Sequence, residues 1–232
     1  MIDLNSLSYL IMPAKFSGTP PFLNLHNRIY EFWHQMFTDV LRSRDPQASV
    51  NPDHFIRQNR VAAIINNNDI VALHLYTFFN FSSVAARENP YFSDFTKSTW
   101  GYLEKENLKH VMTMEYLSVN PSYRKSKSGF SFGEIMVGLG FKIMKESQQD
   151  CTLGIARQDM HVDKMGQNFG GTPIQPGIWR YDYECSLMLS RAEDAHDHPD
   201  KNTQSLVNHL WNQRIDFIND ANTSSKPLPL AA

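Results

Sequence analysis

Residues 111–140 read VMTMEYLSVNPSYRKSKSGFSFGEIMVGLG, and the rest of the chain is organised around them. Val111 to Val119 is apolar-rich and β-prone, and Asn120-Pro121 stops it, because proline cannot donate to a ladder. Arg124, Lys125 and Lys127 follow, interleaved with Ser126, Ser128 and Gly129. From Ser131 the spacing becomes helical, with Phe132, Ile135, Met136, Leu139 and Ile143 on one face. Ser131 can cap the first turn, with Glu134 as the return partner. The stretch therefore predicts strand, basic loop, helix. Free backbone N–H groups and a helix N-terminus would lie beside three cations, which suits a phosphate. Gly129 and Gly133 let the backbone approach closely. A P-loop is excluded, because Gly133 is followed by Glu134 rather than Lys-Ser/Thr. The spacing from Gly129 to Gly133 also fails the dinucleotide fingerprint.

The chain has 232 residues, enough for one domain with a sizeable core over residues 1–220, followed by a disordered tail over 221–232. Its formal net charge of −2 argues against bulk binding of nucleic acid and makes the basic loop a local feature. Fifteen Phe and ten Met are bulky, adaptable fillers for a core or an apolar pocket. Cys151 and Cys185 fall in predicted strands. With no signal peptide legible at the start, a reduced, cytoplasmic setting is the expectation. No apolar stretch approaches the ~20 residues needed to span a bilayer.

Residues 1–24 contain Pro13, Pro20 and Pro21 and read as an irregular entry with a short edge strand over Tyr9 to Met12. Residues 25–43 read as an amphipathic helix with Leu25, Ile29, Phe32, Trp33, Met36, Phe37, Val40 and Leu41 on its apolar face. That face is core, or in part the lining of an acyl or amine pocket. Pro52 to Asn59 reads as a short helix. Arg60 to Ile65 and Ile70 to Phe79 are strands joined by the turn residues 66–69. Residues 80–108 form a long aromatic insertion with helix expected over Thr96 to Lys105. It is either a substrate lid or a satellite cluster on the sheet. Cys151 to Ala156 reads as a strand, Arg157 to Phe169 as a helix ended by Gly170-Gly171, and Trp179 to Leu189 as a single strand. His196-Asp197-His198 has metal-binding residue types but no frame, so no metal site is assigned. Residues 203–220 read as a final helix capped by Thr203, with Ile218 facing inward.

Leu117-Ser118-Val119-Asn120-Pro121-Ser122-Tyr123-Arg124 resembles the signature of the GCN5-related N-acetyltransferase superfamily. In that family a strand, a pyrophosphate loop and a helix follow one another as they do here. The resemblance covers roughly residues 60 to 190. It implies an α/β (α+β) fold, with a mixed, mostly antiparallel sheet flanked by helices. It also implies an acyl-CoA (acetyl-CoA) co-substrate, or an acyl carrier protein, held without a metal. Leu117, Ser118 and Val119 would pair with the pantetheine arm. Arg124, Lys125, Lys127, Ser128, Gly129, Ser131 and Gly133 would hold the phosphates. The loop between Arg124 and Gly133 is longer than the family pattern. Gly166 stands where the family's second motif carries a tyrosine that serves as acid for the leaving thiol. The aromatic insertion and the missing tyrosine resemble the long-chain N-acyl amino acid synthase branch.

Acyl transfer to an amine needs an oxyanion donor and a base that keeps the amine neutral. Glu115 lies two residues before Leu117, so regular alternation would put both on one face of the strand. A carboxylate in an apolar strand is a base, a contact for the substrate amine, or the buried partner of a cation. His161 is a lesser candidate. The expected function is N-acyl transfer from a thioester to a small-molecule amine. The alternative is a non-catalytic module of the same fold that binds a ligand or partner.

Overall fold

The computed structural model describes residues 3–16 and 20–219. The elements in chain order are β1 (Leu7–Pro13), α1 (Pro20–Arg42), α2 (Asp53–Ile56), β2 (Arg60–Asn66), β3 (Asp69–Asn80), α3 (Val84–Arg87), α4 (Lys97–Lys105) and β4 (His110–Val119). They continue with α5 (Lys125–Ser128), α6 (Phe132–Glu146), β5 (Cys151–Arg157), α7 (Val162–Gln167), β6 (Thr172–Arg180), β7 (Tyr183–Arg191), α8 (Lys201–Asn212) and β8 (Ile215–Asp216). The strands form an eight-stranded sheet in the order β6-β7-β5-β4-β3-β2-β1-β8. β1–β2, β2–β3, β5–β7 and β6–β7 are antiparallel, while β4–β5 and β1–β8 are parallel. This is the mixed, helix-flanked sheet expected, with 111–119 and 151–156 as parallel neighbours.

Contacts group the chain into two units. One holds residues up to Tyr76, Tyr116–Met136 and the chain from Asp200 onward. Its core places Leu25, Ile29 and Trp33 of α1 against Leu10 and Met12 of β1, Val61, Ala63 and Ile65 of β2, and Leu73 and Leu75 of β3. The period-2 spacing on the strands and the 3- and 4-residue spacing on α1 are what bring these faces together. His74, between Leu73 and Leu75 on β3, is buried as well, and burial lowers its imidazole pKa to about 3, against a partial offset from the Met136 backbone.

The other unit holds Thr77–Glu115 and Val137–Pro199. Phe81, Tyr91, Phe92, Phe95 and Leu103 pack there with Leu153 of β5 and Leu187 and Leu189 of β7. Phe92 meets Phe81 edge-on at 5.1 Å and Phe79 at 4.8 Å. Arg180 donates to Asp94 Oδ2 and to the Tyr91 carbonyl, and Gln175 donates to the Asp94 carbonyl. The insertion is thus a packed satellite core, and the lid reading gives way to it.

Five boundaries differ from the sequence reading. α1 begins at Pro20 rather than after residue 24, since proline suits a first helical turn. β1 is not an edge, because β8 pairs along it. The expected 157–169 helix shrinks to α7: β5 stays paired with β7 out to Arg157↔Cys185, and His161 is left-handed. The expected single strand over 179–189 is half of a hairpin. Tyr181 and Asp182, both at positive φ, form its primed turn. The expected 203–220 helix starts at Lys201 under an Asp200 cap, ends at Asn212 and gives way to β8, leaving Ile218 exposed. The expected tail, 221–232, lies outside the described residues.

Phe92→Ala is expected to cost ~3–5 kcal/mol in urea unfolding, the scale for a large buried aromatic. A loss below ~1 kcal/mol would mean the insertion is a detachable flap. His74 gives a second test. Its folded pKa lies below the unfolded value, so its contribution is complete above pH 6.5 and is lost as pH falls toward 3. Stability should therefore drop over that window by up to ~1.4 kcal/mol per pH unit from this residue. His74→Phe should flatten the slope in a pH series of denaturation midpoints.

Candidate active site

β4 carries a backbone irregularity at its centre: Tyr116 has φ 60°. A bulky residue in that region is a real outlier, because its Cβ crowds the following carbonyl. The conformation interrupts the period-2 alternation. Glu115, Leu117 and Val119 therefore do not form the single face that regular alternation predicts, which is a correction to the sequence reading. The Tyr116 ring packs edge-on to Phe37 at 4.8 Å and to Trp33 at 5.6 Å. Its hydroxyl lies 2.8 Å from His54 Nδ1, on α2. Ser118 is buried, with its hydroxyl donating to the Tyr116 carbonyl, and Leu117 and Val119 are half-buried.

Past β4 the chain is pinned before it reaches the basic loop. Asn120 donates from its backbone to the Val71 carbonyl and from its side chain to the Ile70 carbonyl. Tyr123 donates to Asp69 Oδ2 and accepts from Asn66. Arg124 then caps the one-turn helix α5, which Gly129 ends at φ 82°. That turn uses the N–H groups of Lys127, Ser128 and Gly129 internally, and the Ser128 hydroxyl accepts from Phe130 N–H. The later half of that loop therefore spends its donors on itself. At the start of α6, first-turn N–H groups have no intrahelical partner. Ser131 Oγ accepts from Glu134 N–H at 3.5 Å, and Gly133 is buried in that first turn. Arg124, Lys125 and Lys127 are all exposed beside it in sequence.

In the second unit, Glu115 is 6% exposed, and the Thr113 hydroxyl donates to its Oε1 at 2.8 Å. β4 pairs with β5 through Val111↔Cys151, Met112↔Thr152 and Thr113↔Leu153, and there the ladder ends. Gly166 sits on the short α7, where an added Cβ would lie 3.7 Å from Met188 Cε. His161 is exposed in a left-handed turn ahead of α7. Cys151 and Cys185 are buried and unbridged, and burial raises both thiols, Cys151 to about 12, so neither is a nucleophile at neutral pH. His198 is buried against Phe169 rather than solvated. Among the described residues no group of three metal-ligand side chains gathers, and no helix is long and apolar enough to cross a membrane.

Sequence reasoning missed Tyr116 and His54. The juxtaposed Glu115-Tyr116 inside an apolar strand was a trace of the irregularity. Nothing in the sequence pointed to His54, which is 62 residues away.

No family model and no curated protein matches the chain. Solved structures do. A mosquito arylalkylamine N-acetyltransferase-like protein aligns over 79% of this chain and all of its own length, at TM-score 0.57 and 14% identity. A CoA-dependent acyl-homoserine lactone synthase, solved with SAM and isopentyl-CoA, aligns over 90% of this chain and 93% of its own, at TM-score 0.57 and 7% identity. An N-acyl amino acid synthase from uncultured soil microbes aligns over 81% and 93%, at TM-score 0.51 and 7% identity. The chain shares its fold with these three acyl-transferring proteins.

Replacing Arg124 and Lys127 together by Ala should weaken CoA binding by ~1–3 kcal/mol, the scale of charge-assisted contacts, and reduce its salt dependence. Calorimetry showing unchanged affinity would remove the loop from the site.

Proposed function

We propose that the protein transfers an acyl group from a CoA or acyl-carrier-protein thioester to the amine of a small acceptor. The observation that carries this reading is β4 itself. Its ladder with β5 stops after three pairs, and its backbone is turned by Tyr116 directly before the Leu117–Val119 segment. A strand whose backbone leaves its neighbour offers N–H and C=O groups to an extended amide chain such as pantetheine. The same strand can present an N–H to the oxygen of the thioester carbonyl as it becomes an oxyanion. The basic loop and the N-terminus of α6 supply the setting for the phosphates. Proteins of the same fold include an N-acyl amino acid synthase and an arylalkylamine N-acetyltransferase-like protein, which accords with this reading.

Under this reading a neutral amine attacks the thioester carbonyl. The tetrahedral oxyanion collapses, the C–S bond breaks, and the thiolate takes up a proton. The buried Glu115 carboxylate is the group that attracts and holds the acceptor ammonium. Its hydrogen bond from Thr113 orients the carboxylate.

Glu115→Gln keeps shape and hydrogen bonding but removes the charge. Turnover of acetyl-CoA with a responsive amine should fall ~10²–10⁴-fold at unchanged CoA affinity. A Gln variant with a lowered melting temperature and intact turnover would make Glu115 structural instead.

A further inference from the structure

β4 and β5 part while β5 itself stays intact. Their parallel ladder runs Val111↔Cys151, Met112↔Thr152 and Thr113↔Leu153 and stops. On its other side β5 remains paired with β7 through Ile155↔Leu187 to Arg157↔Cys185, so the parting is not a frayed strand end. Exposure changes at the same register on both strands: 111–113 and 151–153 are buried, whereas Met114, Gly154 and Ile155 are half-buried. A Cβ added to Gly154 would lie 3.5 Å from the Met114 carbonyl oxygen, so the strands are still close there. Antiparallel bonds alternate along a strand, and the Gln158 N–H goes to the Glu184 carbonyl of β7. The Ile155 N–H therefore turns the other way, toward β4, and donates to Tyr91 Oη at 3.3 Å. Tyr91 is 5% exposed and is fixed from its own side: Asn89 Oδ1 accepts from its N–H at 2.9 Å, and Arg180 donates to its carbonyl at 2.7 Å. A bare phenyl ring would serve the edge-on contact with Phe92; the hydroxyl is what reaches β5.

We propose that Tyr91 is a positioning residue that fixes where β4 and β5 part, and so keeps the mouth between them open for the arm of the acyl thioester. This rests on the N-acyl transfer reading and deepens it. An Ile155 N–H held by Tyr91 Oη is withheld from the β4 carbonyls, so the ladder does not zip past Leu153. Without the hydroxyl, that N–H is left to find another acceptor, and a backbone donor at such a position does not stay unpaired. The acceptors it faces are those of β4. A longer ladder would spend the same backbone groups that pair with the amides of a pantetheine arm. The zipped form then competes with the ligand: apparent affinity falls in proportion to the fraction of molecules left open, while ligand in excess restores the open form. Tyr91 acts through the strands and meets no reacting atom. The aromatic insertion, packed as a satellite core, is on this reading also the wedge that sets the depth of the mouth.

The test uses the full chain with Tyr91→Phe, which keeps the ring and removes the hydroxyl. Calorimetry follows binding of CoA and of adenosine 3′,5′-bisphosphate, which is the nucleotide end without the arm. Thiol release from acetyl-CoA is followed with phenethylamine as acceptor. The variant should bind CoA ~3–10-fold more weakly, the scale of one hydrogen bond, and the nucleotide as before. KM for acetyl-CoA should rise by the same factor while kcat stays within about two-fold. Equal weakening of CoA and nucleotide, or a fall in kcat at unchanged KM, would mean a general loosening and overturn the wedge. Unchanged CoA affinity and KM would overturn it too, while leaving acyl transfer standing. Either readout decides alone where the other gives no signal. If Tyr91→Phe fails to fold, Arg180→Met decides in its place by the same split, since it removes the donors to Asp94 and to the Tyr91 carbonyl. Wild-type protein that neither binds CoA nor releases thiol from acetyl-CoA overturns the transfer reading and the wedge together.

Discussion

One backbone choice sets the terms for the molecule: Tyr116 stands left-handed in the middle of an otherwise regular strand. A strand that kept its alternation through this point would give Leu117 and Val119 the facing that Glu115 has. With the interruption, β4 changes what each side chain meets halfway along its length. Before it, Thr113 and Glu115 are bonded to each other. At it, Tyr116 enters the aromatic group of α1 and α2. After it, Asn120 ties the strand end to Ile70 and Val71. The strain at Tyr116 is offset by contacts gathered on both sides, the two edge-on rings and the His54 bond on one hand and the Asn120 anchors on the other.

The two packed groups solve different problems. Around α1 the core is a helix face on a sheet face, where Trp33 and its neighbours remove large apolar area from water. The aromatic cluster built from the insertion lays no long helix on its strands. It uses short turns instead, each closed locally: Thr96 caps α4, Asn89 caps the turn at Tyr91, and Asp150 accepts from the N–H groups of Lys109 and His110. The aromatic rings then fill the space that a helix would otherwise occupy. The ion pairs around them, such as Arg191 with Glu106 and Arg180 with Asp94, are part-exposed, so they orient the segment more than they stabilise it.

Long periodic elements were legible in the sequence. β2, β3, β4, α1 and α6 follow from spacing and from Asn-Pro or Asn-Asn-Asn punctuation. The Ser131 cap follows from local chemistry. What failed depended on partners far along the chain. The 157–169 helix was read from composition, but β7 claims Arg157 for the sheet. The 203–220 helix was read from apolar spacing, but β1 claims Ile215 and Asp216. The hairpin was missed because Tyr-Asp is a less familiar primed turn than Asn-Gly. Of the candidate site, the strand and the cationic loop could be read directly. The placement of its free amides, the interruption at Tyr116 and the approach of His54 could not, since each depends on how distant segments pack.

The margins of the sheet have a consequence for the protein's behaviour in concentrated solution. An exposed strand is a template on which another chain can add its own. At one margin β6 carries Pro173 and Pro176, two positions without an N–H to offer. At the other, β8 is only two residues long. Among the described residues, neither rim presents the long, unbroken row of donors and acceptors on which fibrils and edge-to-edge polymers grow.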